Sequence, residues 1–326
     1  MSVIIIAAIF IVGFILQIRL MQSPKTALLG NRIGAAFMGA AIIYTIVSYG
    51  GIGNSALWLW LVIGAFAGVS LGHVVKMIQM PQMVGMLNGF GGAASALVAI
   101  AGSSLYHAGT SWYLWLTASL ALSVGMLTFT GSMIAAMKLQ AIIPGRPVNI
   151  DKGGKLQQIM LFVIAVIVFL STLITGIYVV WVVLLTIISA VYGVIMALRV
   201  GGADMPVVIS LLNSFSGVAA SITGFAVEDP LLVGVGAVVG VSGLILTRIM
   251  CKAMNRNLSA VLTGMTTVSN LRKPNNTPHS SSILKEINEK GTRNMKVGET
   301  VNSAKKVIIV PGYGMAVAQA QGKVKD

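Results

Sequence analysis

The sequence predicts an all-α polytopic membrane protein, a bundle of nine transmembrane helices with a polar tail. Three observations carry this. The 326 residues are 56% hydrophobic and 9% charged, with a mean hydropathy of +0.90, whereas a soluble globular chain is about 25% charged. The charge is unevenly placed: residues 1–256 hold twelve Lys/Arg and four Asp/Glu, and the much shorter stretch 257–326 holds ten and four. Finally, nine apolar stretches approach the roughly 20 residues that a helix needs to cross a bilayer. These features exclude a secreted disulfide scaffold (Cys251 is the one cysteine), a disordered chain and an ordinary cytosolic enzyme. A net charge of +14 is compatible with nucleic acid, but the cations are scattered among short connections, as in cytoplasmic loops of membrane proteins, and no nucleic-acid partner is expected.

The expected spans are 2–18, 33–50, 56–75, 82–105, 112–137, 158–176, 178–198, 206–227 and 231–250. The sixth and seventh are divided by a tight turn near Gly176 and Tyr178. The start, MSVIII, lacks a basic segment and a cleavage site and reads as a helix, not a removed signal.

Lys and Arg occupy alternate connections. Arg19, Lys25 and Arg32 follow the first span and Lys76 the third. Lys138, Arg146, Lys152 and Lys155 follow the fifth, Arg199 the seventh, and Arg248, Lys252 and Arg256 close the ninth. The other connections have none, and the one after the eighth span carries Glu228 and Asp229. Because positive residues mark the cytoplasmic side, the N-terminus is expected outside and the C-terminus inside. Trp58, Trp60, Trp112, Trp115 and Trp181 all fall at outer ends in this topology, where the indole ring favours the headgroup region.

An internal repeat is visible. MPQMVGMLNGFGG at 80–92 and MPVVISLLNSFSG at 205–217 share Met-Pro, Leu-Asn, Phe and Gly at an offset of 125, which also pairs Gly68 with Gly193. The copies face the same way, so the repeat is parallel. Pro81 and Pro206 suit a first helical turn. Asn88 and Asn213 then lie seven residues on, about 10 Å deeper. Small residues follow, and with Gly236 and Gly240 they permit close helix contact. Two readings of the asparagines stay open: amides that bond one helix to another, or parts of a path for water or protons. No Asp, Glu, Lys or Arg sits at the middle of a span, so a complete proton relay requires an ionisable group from a partner.

Residues 257–304 read as a polar cytoplasmic linker with a short helix near 282–289. The pattern then changes to KKVIIVPGYGMAVAQAQ. A β-branched run at 307–310, a Gly-x-Gly turn and a helix start form the opening of a dinucleotide-binding, Rossmann-like fold, in which glycines let backbone N–H groups approach a pyrophosphate. Residues 305–326 are thus expected to be the truncated start of such a domain, too short to fold into a nucleotide site.

GGADMPVVISLLNSFSG at 201–217, IMCKAMNR at 249–256 and PGYGMAVAQAQ at 311–321, with the 80–92 segment and TFTGS at 128–132, resemble the beta subunit of proton-translocating NAD(P) transhydrogenase. The resemblance covers nearly the whole chain. It implies hydride transfer from NADH to NADP driven by proton flow through residues 1–256, a bacterial inner membrane, an NADP(H) domain after the helices, an alpha subunit carrying NAD(H), and a dimer of alpha–beta units. It implies a place on the proton path for Asn213, and coupling to the NADP domain for Asp204 and Arg256. Gly312, Tyr313, Gly314, Ala316 and Val317 match the first nucleotide turn. It assigns no catalytic residue and no metal ligand to this chain. Many members carry a histidine where this chain has Asn88, so the protonatable group is expected elsewhere, in a helix of the alpha subunit. The incomplete NADP domain implies a chain that does not catalyse hydride transfer alone. A reading from another class is a secondary transporter or ion channel with a regulatory tail, for which the GYGMAVAQAQ motif has no use.

Overall fold

The structure is a computed structural model and describes residues 2–104, 110–148, 153–255 and 257–263. Among these, nine helices are long and apolar enough to cross a membrane: α1 Ser2–Met21, α2 Ala27–Ser48, α3 Ser55–Val74, α4 Met80–Ser103, α5 Trp112–Leu139, α6 Gly153–Leu173, α7 Tyr178–Arg199, α8 Met205–Ala226 and α9 Pro230–Ala253. The protein is a multi-pass membrane protein. A tenth helix, α10 at Leu258–Thr263, lies at the start of the stretch expected to be linker, and its Val261 is fully buried in the same apolar cluster as Met205, Val208 and Leu212 of α8. The rest of that stretch, the Rossmann-like segment with residues 312 to 317, and Arg256 lie outside the described residues.

Local chemistry explains the helix ends. Pro81, Pro206 and Pro230 stand in the first turns of α4, α8 and α9, where a missing N–H costs nothing. The side chains of Asn54 and Asp229 accept from the first free N–H groups of α3 and α9. Single 3-10 turns, Met77–Gln79 and Gly202–Asp204, precede the two Met-Pro helices, and another at Thr175–Ile177 makes the tight joint between α6 and α7. The two largest shifts from the expected spans are at helix starts. α2 starts at Ala27 and not at 33, because Asn31 and Arg32 sit on exposed helix surface, where a long cation can reach water without breaking the helix. α6 starts at Gly153 and carries Lys155 within its first turn.

α5 and α8 are the most buried helices and form the centre. α4 and α7 pack on α5, α9 packs on α8, and α4 and α8 meet. Glycines set these crossings. A Cβ on Gly92 would stand 2.8 Å from the carbonyl oxygen of Gly125, and one on Gly125 would stand 2.6 Å from that of Gly92. Gly217 of α8 lies against the backbone of Gly240, and Gly236 of α9 against that of Ser221. Gly193 of α7 abuts Leu127 and Thr130 of α5, whereas its repeat partner Gly68 on α3 faces open space. α1, α2 and α9 form a smaller cluster through Phe10, Phe14, Leu231 and Phe37. On that side the Tyr49 phenol is pushed up by partial burial, and further by the Asp229 carboxylate.

Candidate functional site

All Asp, Glu, Lys, Arg and His side chains of the described residues lie in connections or toward helix ends. The middle of the bundle is polar only through amides and hydroxyls. Asn88 is 8% exposed, and its Nδ2 donates to Ser132 Oγ of α5 at 2.8 Å. One turn beyond Asn213, Ser216 Oγ of α8 donates to the carbonyl oxygen of Asn88 at 3.1 Å. Seven residues further along both helices the link recurs, from Thr223 Oγ1 to the Ser95 carbonyl oxygen at 3.4 Å. The two rungs place α4 and α8 side by side and parallel, about 10 Å apart along the axis. Thr128 and Ser132 of α5, both fully buried, flank them. A second polar seam joins α8 to α9: Thr247 Oγ1 donates to Ser210 Oγ at 3.0 Å, and Ser214 Oγ to the Gly240 carbonyl at 2.6 Å.

The structure brings Asn88 within a helical turn of Asn213 across the α4–α8 contact, with no direct hydrogen bond between them. Asn213 is half-buried, and among the described residues its amide has no hydrogen-bond partner. Asn88 is committed to Ser132. Neither holds a proton near neutral pH, since an amide and a hydroxyl offer donors and acceptors without a titrating site.

The cationic ends of the helices form a tightly laced face. Lys138, a loop charge by its sequence position, is instead 4% exposed, and its Nζ donates to the carbonyls of Leu198 at 2.6 Å and Val200 at 2.8 Å, the end of α7. Gln82 Nε2 of α4 donates to the Leu139 carbonyl at 3.0 Å, and Gly202 N–H to that of Gly145 at 2.7 Å. Arg199 donates to Gln157 of α6. Asp204, in the turn that opens α8, is buried within this lacing. The helix starts here do not fit a dinucleotide phosphate: Pro81 and Pro206 each remove an N–H donor, and the Asp204 carboxylate stands at the first turn of α8.

Lys138, Gln82 and Ser132 are contributions that sequence reasoning missed. Ser132 lies in the TFTGS segment, but its pairing with Asn88 depends on the α4–α5 crossing. Arg256 and residues 312 to 317 are not located by the described residues.

The family model of the NAD(P) transhydrogenase beta subunit matches residues 2–326. The chain belongs to this family. It is similar to two sequences named NAD(P) transhydrogenase subunit beta, both from Rhodospirillum rubrum. Each is 36% identical over 341 residues, a match that covers 98% of this chain and 69% of the relative.

Proposed function

We propose that this chain is the membrane subunit of a proton-translocating NAD(P) transhydrogenase, in which hydride transfer from NADH to NADP is coupled to proton movement. The observation that supports this best is the pair of polar rungs between α4, α5 and α8, in a chain matched to the family from residue 2 to residue 326. Residues 1–256 are the proton-translocating domain, 257–304 a cytoplasmic linker, and 305–326 the start of the NADP(H) domain. Asn88 and Asn213 line the proton path, and the carrier comes from the alpha subunit, which also binds NAD(H). Asp204 and Arg256 couple the membrane domain to the NADP(H) domain, and the buried setting of Asp204 among the laced helix ends supports that role. Gly312, Tyr313, Gly314, Ala316 and Val317 hold the NADP(H) phosphates.

NADP(H), when bound, accepts or gives the hydride; the described residues do not form its site and act on the proton side. The assembly is a dimer of alpha–beta units in a bacterial inner membrane, N-terminus outside. The open faces of α3, with Gly64, Gly68 and Gly72 in register and nothing packed against them, support a seat for helices of the alpha subunit.

The test uses the complete enzyme in inverted vesicles. Asn213→Leu is expected to abolish most proton-coupled transhydrogenation while NADP(H) binding to the complex persists. Normal coupling in that variant would return Asn213 to a packing role.

A further inference from the structure

We propose that the groove between α1 and α9 on the cationic face binds one anionic phospholipid, its acyl chain in the groove and its phosphate at Arg19, with Arg248 and Lys252 beside it. In the half of the bundle away from that face the two helices are in contact. Ala7, Phe10 and Leu231 share a buried cluster there, and Ile11 fills the space at Gly234. Beyond Gly234 the helices part and leave a groove of about 650 Å³, whose walls are Ile15 and Ile18 of α1 and Val238, Val241 and Ile245 of α9.

The length of the groove decides between occupants. From Val238 to Ile245 is about 10 Å along the axis, less than the hydrocarbon depth of one leaflet, roughly 15 Å. A transmembrane helix needs the full thickness, and contact between α1 and α9 closes the far half to it. An acyl chain needs one leaflet, entered from the side, and Val241 and Ile245 are exposed to it.

Charge completes the site. Arg19 and Gln22 stand at the groove's polar end. On α9 the face of Val241 and Ile245 continues, at helical spacing, to Arg248 and Lys252, which line a second, polar cleft of about 440 Å³ with Asn255 and Asn257. No hydrogen bond or ion pair among the described residues engages the side chains of Arg19, Arg248 or Lys252. Of the described carboxylates, Glu228 and Asp229 are at the opposite end of the bundle and Asp204 is buried. Basic groups at the mouth of an apolar inter-helix groove are the chemistry that recognises an anionic headgroup. A free phosphate ion would leave the groove below it unused. The site needs only a bilayer, and not transhydrogenase chemistry.

The test is native mass spectrometry and thermal unfolding of the complex purified into nanodiscs of phosphatidylcholine, with and without phosphatidylglycerol. The expected result is one phosphatidylglycerol retained per chain and a higher unfolding temperature. Both should be lost in the triple variant Arg19→Gln, Arg248→Gln, Lys252→Gln, and also in Val238→Trp, which fills the groove without changing charge. Lys76→Gln with Arg146→Gln, cations elsewhere on the same face, should leave both intact. Equal retention in Val238→Trp and the parent would overturn the proposal. So would a shift reproduced by inorganic phosphate alone, or a disulfide crosslink from Val238→Cys to another polypeptide.

Discussion

Lys138 shows how much one side chain can do at the edge of a membrane. Its ammonium bonds two carbonyls at the end of α7, that of Leu198, which also accepts from Val148 N–H, and that of Val200. Lys138→Met keeps the stem and removes the donors. It is expected to destabilise the folded chain by about 2 kcal/mol, within the range for hydrogen bonds to a charged group, with the Val200 carbonyl left without its donor while Leu198 keeps the Val148 N–H. Denaturant unfolding in detergent measures this. At Asn88 the expectation is smaller: Asn88→Leu removes the donor to Ser132, and inter-helix bonds of this kind are worth about 1 kcal/mol in membrane proteins. A double-mutant cycle with Ser132→Ala isolates the pair; no coupling would mean that the bond contributes nothing in solution. The special standing of Asn88 was legible from sequence because the repeat placed a second asparagine at the same register. The burial of Lys138 was not, because a lysine one residue from a helix end looks the same whether it snorkels to water or turns inward to a neighbouring helix.

For whole helices, glycine contacts decide how closely the axes approach. Gly92→Leu and Gly125→Leu must each push α4 and α5 apart, since even a Cβ would meet backbone below van der Waals distance. Both are expected to lower the unfolding temperature sharply or prevent recovery of folded protein, by more than the 1–3 kcal/mol typical of overpacking. Gly91→Ala and Gly68→Ala, where nothing lies within 4 Å, should be neutral in the same assay. Asp229→Ala removes the acceptor for Leu231 N–H and Leu232 N–H at the start of α9 and should cost about 1 kcal/mol. The nine long helices of the described residues were legible because each needs its own long apolar run, and the starts of α4 and α8 because Pro81 and Pro206 mark them. Other boundaries moved by several residues, most at the starts of α2 and α6, because hydropathy reports where lipid begins and not where backbone hydrogen bonding begins or stops.

At the scale of the molecule, the alternation of Lys/Arg between connections makes a topology prediction. A reporter active only in the cytoplasm should be silent when fused after Gly51 and active when fused after Lys152. The reverse pattern would invert the orientation and, with it, the side on which an NADP(H) domain docks. The sequence by itself determined the solvent, the number of spans, the alternation of charge and the duplicated Met-Pro helices. All of these follow from composition and from one-dimensional spacing, which the bilayer reads directly. Only the tertiary structure decided that α5 and α8 are central, that Asn88 bonds to Ser132 while Asn213 has no such bond among the described residues, and that α1 and α9 close on one half and open on the other. Those outcomes depend on which helix faces which. In lipid that choice is made by small-residue contacts and a few hydrogen bonds between residues far apart in the chain, and no local pattern encodes the partner.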